Sequence, residues 1–208
     1  MIRTTLRRFF PALAQLNIPN AMTSVALVLD VFIVALLGAG QLKLAAMLFV
    51  GVLSLDHADG IVARRLGQTS ELGEQLDSLA DAVSFCVLPA ALGWMLGLRS
   101  PLGLVLLASY LLAGVWRLAW FNTEGMHNAS TGAPSFRGLP TTYAACGVVV
   151  LVCVTRTLGL PTLAPLAVLF PLLAALMVSD LRIRKRGPLL PLTIVSTLSG
   201  VLLFVLFG

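Results

Sequence analysis

Long apolar runs, separated by short gaps rich in proline, glycine or charge, occupy most of the chain beyond residue 20. Seven blocks stand out, at roughly 21–39, 42–66, 74–97, 101–121, 141–158, 161–180 and 188–207, each close to the ~20 helical residues that cross a bilayer. None alternates apolar and polar residues with period two, so strands are poorly supported and helices are predicted. Pro101, Pro140, Pro161 and Pro188 sit at or near block starts, where a missing N–H matters least. Residues 3–13 differ. Arg3, Arg7 and Arg8 interleave with Leu6, Phe9 and Phe10, a segment too short and too basic to span, which predicts an amphipathic helix on the lipid surface. The pattern predicts an all-α polytopic membrane protein. Residues 1–208 form one embedded domain, with 1–20 as an interfacial segment and no separate soluble unit.

Composition agrees: 58% of the 208 residues are hydrophobic and 11% charged, with a mean hydropathy of +0.97. Soluble domains carry about a quarter charged residues, so an ordinary water-soluble fold is excluded. The basic residues are unevenly spread. With the N-terminus inside, that side receives Arg3, Arg7, Arg8, Arg64, Arg65, Arg117, Arg137, Arg182, Arg184, Lys185 and Arg186, against Lys43, Arg99 and Arg156 outside. The positive-inside rule then predicts a multi-pass protein of the cytoplasmic (inner) membrane, N-terminus inside and C-terminus outside. Topology and anionic headgroups account for the pI of about 9.7 without nucleic acid. Cys86, Cys146 and Cys153 lie in apolar runs without metal-ligand spacing and read as small buried hydrophobes. The N-terminus lacks the apolar core and small-residue cleavage site of a removable signal peptide.

Charge becomes informative where it is rarest. Six of the nine acidic residues fall between Asp56 and Asp81. Asp56 and Asp59 are three apart near the end of the second block, and Asp77 and Asp81 four apart near the start of the third. Both spacings put a pair on one helical face, and the short hairpin around Gly67–Gly73 lets the faces meet. Converging carboxylates repel one another and resist desolvation, so a cation must offset them. All-oxygen ligands favour Mg²⁺, Mn²⁺ or Ca²⁺, and four carboxylates fit two such ions, an arrangement used in phosphoryl displacement. Gly60 and Ala63 leave room for a flat group against the backbone. Pairing with Arg64 and Arg65 would explain one such carboxylate but not four. A cation or proton transporter is the competing class, but it would spread polar residues through the membrane depth, and here Asp30 alone lies deep among the acidic residues. Asp30 reads either as a residue paired within the bundle or as a second polar site.

The stretch Asp56-His-Ala-Asp59-Gly60-Ile-Val-Ala63-Arg64, then eight residues, Gly73, three residues, Asp77, three residues and Asp81 resembles the CDP-alcohol phosphotransferase signature at every defined position. That resemblance implies a six-helix membrane core, usually a homodimer, working with two divalent cations, Mg²⁺ or Mn²⁺. The block at 188–207 would then be an extra C-terminal span. It also implies that Asp56, Asp59, Asp77 and Asp81 hold the metals. Asp56, Asp59, Gly60, Ala63, Arg64, Gly73 and Asp77 would contact the CDP moiety, and Asp81 would also serve as general base.

Further stretches are similar to the phosphatidylserine synthase group of that family. Asp81-Ala-Val-Ser-Phe-Cys-Val-Leu-Pro89-Ala matches its pattern, with Cys86 where Gly is usual. Arg117-Leu-Ala-Trp-Phe-Asn122 matches with Trp120 in place of a second Arg. Phe136-Arg-Gly138-Leu-Pro140-Thr141-Thr142, Asn17-Ile-Pro19-Asn20 and Met177-Val-Ser179-Asp180 also fit. The resemblance implies CDP-diacylglycerol and L-serine as substrates; glycerol 3-phosphate, inositol phosphate or choline are the alternative acceptors. From the residues themselves, Arg117 either binds a serine carboxylate bidentately or snorkels to the interface. Gly138-Leu-Pro140 and Thr141, at the start of the fifth block, either offer helix N-terminal amides to an anion or form an ordinary loop-to-helix start.

Overall fold

The computed structural model describes residues 15–128, 135–184 and 189–207. The segment at 3–13 lies outside the described residues. Helix α1 (Ile18–Gly38) begins three residues before the apolar block does, because Asn17 caps it and Pro19 occupies its first turn. The Asn17 side chain accepts the Asn20 N–H at 2.9 Å. Helix α2 (Leu42–Leu66) ends at Gly67, whose φ of 63° lets its N–H turn back onto the carbonyls of Ala63 and Arg64. Ser70 then caps α3 (Glu71–Met95) by accepting the Gly73 N–H at 3.1 Å. Gly73 therefore lies in the first turn of α3 rather than in the hairpin.

Helix α3 is one rod with a wide π-helical turn, Ala82–Val87, in its middle. There the Leu88 N–H reaches the Val83 carbonyl five residues back. Proline causes the disturbance: Pro89 has no N–H for the Phe85 carbonyl four residues back, and its ring crowds that carbonyl. The Tyr110 hydroxyl, from α4 (Pro101–Asn128), donates to the Phe85 carbonyl instead at 2.8 Å.

Helices α5 (Thr141–Thr157), α6 (Leu163–Met177) and α7 (Leu189–Phe207) complete seven helical rods among the described residues. The first four are long and apolar enough to cross a membrane; α5, α6 and the described apolar part of α7 are shorter. Helix α6 ends three residues before its block does because the chain after Met177 is drawn onto the loop before α5. The Leu139 N–H donates to the Leu176 carbonyl at 3.0 Å and the Gly138 N–H to the Leu181 carbonyl at 2.9 Å. Beyond these contacts run two three-residue strands that helical periodicity did not foretell. β1 (Ser135–Arg137) and β2 (Arg182–Arg184) pair antiparallel, with Phe136 opposite Ile183.

Helix α1 packs on α2, α4 on α6 and α5 on α7, with α3 and α5 inside. One apolar cluster joins α1, α2, α3, α5 and α7 through residues such as Ile33, Phe49, Phe85, Val149 and Phe204. A second joins α3, α4, α5 and α6 through Leu92, Tyr110, Val148 and Phe170. Gly93 is needed where α3 meets α6, since a Cβ there would stand 2.6 Å from the Phe170 ring. The outer faces are apolar too: Val31, Leu102, Trp116 and Val168 are all more than two-thirds exposed. A chain apolar inside and out suits lipid as its solvent, and it is an integral membrane protein.

Candidate metal and nucleotide site

The turn at Gly67–Ser70 folds α2 back along α3 and brings the two acidic pairs to one end of the bundle. Asp56, Asp77 and Asp81 each offer a carboxylate oxygen within 4.8 Å of the others. Among them, the Asp81 Oδ1 is buried with no hydrogen-bond partner. Three carboxylates this close, one with an orphaned oxygen, fit a hard divalent cation: its charge removes their repulsion and its coordination satisfies the oxygen. Asp59, one helical turn beyond Asp56, is buried and committed on one side to α1. The Thr23 hydroxyl donates to its Oδ2 at 2.6 Å.

Beside this cluster lies a groove of about 170 Å³ between the start of α1, the end of α2 and the start of α3. Asp59, Gly60, Ala63, Arg64, Gly73 and Asp77 line it. Asp56 faces the carboxylate cluster and does not line the groove. Gly73 is required by proximity: a Cβ there would come within 2.9 Å of the Asn20 Oδ1. Gly60 keeps the wall low, since its Cβ would meet nothing nearer than the Arg64 guanidinium at 3.5 Å.

Sequence reasoning missed the contribution of α1 to the groove. Pro19, Asn20 and Thr23 line it, and Asn17 ties α1 to the hairpin through a 3.3 Å hydrogen bond to the Gln68 carbonyl. The signal was present, because Asn17, Asn20, Thr23 and Asp30 recur at spacings of three and seven on an otherwise apolar helix.

A second cavity, of about 340 Å³, opens at the ends of α4 and α6 and is lined by Trp116, Arg117, Trp120, Met177, Val178, Ser179 and Asp180. Arg117 is buried, which removes the snorkelling reading. Its guanidinium lies 5.3 Å from the centre of the Phe121 ring and acts electrostatically on Asp81. Arg117 thus links this cavity, built from α4 and the end of α6, to the carboxylate cluster. A nearby hydrogen bond from the Ser78 hydroxyl to the Asn122 side-chain oxygen, 2.9 Å, joins α3 to α4.

Of the two readings open for Gly138, Pro140 and Thr141, the contacts fit the ordinary loop-to-helix start. The Gly138 N–H is spent on the Leu181 carbonyl, and with φ 75° a Cβ there would collide with the Met177 carbonyl. Pro140 is buried. Thr141 is fully buried too, its methyl group packed at the position of Gly114, and its hydroxyl has no hydrogen-bond partner. These residues fix the loop against α6 and do not line the cavity.

Residues 16–183 match the family model described as CDP-alcohol phosphatidyltransferase, a match that ends before α7. The chain is also similar to proteins named CDP-diacylglycerol–serine O-phosphatidyltransferase. The Saccharomyces cerevisiae protein is 42% identical over 89 residues, 41% of this chain and 32% of that protein. The Bacillus subtilis protein is 34% identical over 110 residues, 51% of this chain and 59% of that one. The Mycobacterium leprae protein is 35% identical over 146 residues, 68% of this chain and 48% of that one. The matches thus span between about a third and three-fifths of these relatives' length.

Proposed function

Because the chain belongs to the CDP-alcohol phosphatidyltransferase family, we propose that it transfers the phosphatidyl group of CDP-diacylglycerol to the hydroxyl of L-serine, giving phosphatidylserine and CMP. The observation that carries this reading is the convergence of Asp56, Asp77 and Asp81 beside a polar groove that Asp59 and Asp77 line, with Arg117 of the second cavity acting on Asp81. A donor lipid in the groove and an acceptor alcohol in the cavity would both lie near these carboxylates. The relatives' names supply serine as the acceptor.

In this mechanism Asp56, Asp59, Asp77 and Asp81 hold two divalent cations, Mg²⁺ or Mn²⁺. When bound, these neutralise charge on the phosphoryl oxygens and polarise the phosphorus. The groove takes the CMP portion, with Gly60, Ala63 and Gly73 giving close approach and Arg64 placing positive charge beside it. Arg117 fixes the serine carboxylate and Asp180, at the exposed end of the cavity, faces the ammonium. Asp81, within electrostatic range of Arg117, accepts the hydroxyl proton as the serine oxygen attacks the β-phosphorus. The bond to the CMP oxygen breaks, and CMP leaves through the groove. The reading places this end of the bundle on the cytoplasmic side, as the charge asymmetry implies, and the working unit is a homodimer with α7 as an addition to the six-helix core.

One experiment tests both chemistry and sidedness. Inside-out vesicles carrying the protein and CDP-diacylglycerol should release CMP on addition of serine and Mg²⁺ or Mn²⁺, and chelation should abolish release. Sealed right-side-out vesicles should need permeabilisation first. Release with glycerol 3-phosphate but not serine would move the acceptor and keep the reaction class. Release from no alcohol, or full turnover in excess chelator, would remove the reading.

A further inference from the structure

Outside the carboxylate cluster lies a buried polar link that the reaction above does not use. Asp30 sits near the middle of α1 and is 2% exposed. The Ser84 hydroxyl donates to its Oδ2 at 2.6 Å, while its Oδ1 has no partner. A carboxyl at that depth is costly, and an apolar residue would avoid the cost. Its partner is not an arbitrary residue of α3. Ser84 lies in the π-helical turn Ala82–Val87, which begins directly after Asp81.

The turn is held from the other side as well. Phe85, the next residue, has the carbonyl that Pro89 cannot serve, and the Tyr110 hydroxyl of α4 takes it at 2.8 Å. Cys86, the residue after that, is fully buried against Gly114, where any Cβ would collide with its Sγ. Three consecutive residues are therefore fixed by α1 and α4. The geometry of the turn makes this consequential. A widened turn accommodates an extra residue, and each residue rotates a helix by about 100°. Were the turn to relax to ordinary α-helix, the half of α3 carrying Asp77 and Asp81 would rotate relative to the half packed in the core. Tyr110, Gly114 and Arg117 follow one another on one face of α4 at spacings of four and three, so the contact that holds the turn also sets Arg117 against Asp81.

We propose that Asp30 and Tyr110 are positioning residues that lock the π-helical turn, through Ser84 and the Phe85 carbonyl, and so set the direction in which Asp81 presents its carboxylate to Asp56 and Arg117. The inference rests on the role given to Asp81 above. An ordinary staple between α1 and α3 would affect folding and thermal stability but leave turnover of the folded enzyme unchanged. The lock acts on turnover.

The test compares purified Ser84→Ala, Tyr110→Phe, Asp30→Asn and Asp30→Leu at saturating CDP-diacylglycerol and serine. Ser84→Ala and Tyr110→Phe should each lower kcat about tenfold, as expected of a small misplacement of a reacting group, with both KM values within about twofold. Asp30→Asn keeps an oxygen that accepts from Ser84 and should hold most of the activity, whereas Asp30→Leu should fall with Ser84→Ala. Combining Asp30→Leu with Ser84→Ala should cost no more than either alone, since both cut one link. Wild-type kcat in both hydroxyl deletions would leave only a staple and overturn the lock. Equal damage in Asp30→Asn and Asp30→Leu would overturn it too, pointing to charge rather than a tether.

If Asp30→Leu fails to fold, the two single-hydroxyl deletions still decide the question. A readout independent of turnover is maleimide labelling of Cys86 in a Cys146→Ala, Cys153→Ala background. Ser84→Ala and Tyr110→Phe should each speed labelling several-fold, and an unchanged rate means the turn was not held by these bonds. If the wild type releases no CMP with any alcohol, the function assigned to Asp81 fails, while the labelling still reports on the lock.

Discussion

In the groove beside the carboxylates, nearly every functional side chain comes from the uninterrupted stretch Asp56 to Asp81, folded back on itself by one tight turn. The Arg117 cavity is assembled differently, from the end of α4 and the chain just past the end of α6, which meet only because α4 and α6 pack together. Its wall is steadied by the loop at Gly138, which is joined to α6 by backbone hydrogen bonds. The groove thus depends on helical spacing and a hairpin, both local properties. The cavity depends on tertiary packing. In the proposed reaction, handling the nucleotide and the phosphoryl group would fall to the local unit. Choice of acceptor would fall to the part whose shape a distant substitution can alter.

In the proposed reaction the two regions act together on Asp81, and the largest expected effect lies there. Asp81→Asn keeps the size and some coordinating ability of the side chain but removes the basic carboxylate. Turnover should drop about 10²–10⁴-fold, the usual loss for a general base, with CDP-diacylglycerol binding largely intact. Normal turnover in this variant would place the base elsewhere and remove Asp81 as the junction of the two regions.

A smaller effect should be confined to the cavity. Arg117→Lys keeps the charge and loses the planar fork, so the serine KM should rise about tenfold, the worth of roughly one charge-assisted hydrogen bond. kcat should fall less, and the KM for CDP-diacylglycerol should hold. The readout is a serine titration at saturating CDP-diacylglycerol. An unchanged serine KM would mean that the cavity does not receive the acceptor.

The same contrast explains what the sequence disclosed. The meeting of Asp56 with Asp77 and Asp81 was legible because helical spacing fixes which residues share a face and Gly67 and Ser70 mark the turn chemically. Asp59, expected to converge with them, is not among the three that do. The order of the helices was legible because apolar blocks of bilayer length are hard to miss. Arg117 was ambiguous, since nothing in its neighbours tells whether its end of α4 is covered. Gly138 was open between two readings because a glycine beside a helix start fits an anion site as well as an ordinary loop, and the approach of the Met177 carbonyl is a tertiary contact that spacing does not disclose. The π-helical turn escaped notice because Pro89 alone suggests a kink, and widening the turn is one of several ways to absorb it.

The finest test of the comparison lies on the groove side, at a residue that reaches the carboxylates only through Asp59. Thr23 belongs to α1, and its hydroxyl donates to the buried Asp59 at 2.6 Å while its side chain lines the groove. Thr23→Val keeps shape and branching but deletes the donor, leaving one oxygen of Asp59 without its only α1 partner among the described residues. A hydrogen bond to a charged group is worth about 1.5–3 kcal/mol, but a bound cation and water can make good part of the loss. The expected result is therefore a rise of about threefold to tenfold in the KM for CDP-diacylglycerol and in the Mn²⁺ concentration needed for half-maximal activity. The serine KM should stay within twofold, because Thr23 does not line the Arg117 cavity. Arg117→Lys and Thr23→Val then form a crossed pair, each moving the constant the other leaves alone. If Thr23→Val raises the serine KM as much as the CDP-diacylglycerol KM, the two regions are one coupled site and their separate construction has no functional counterpart. If it changes neither, Asp59 is held in place by α2 alone, and α1 serves the groove only as a wall.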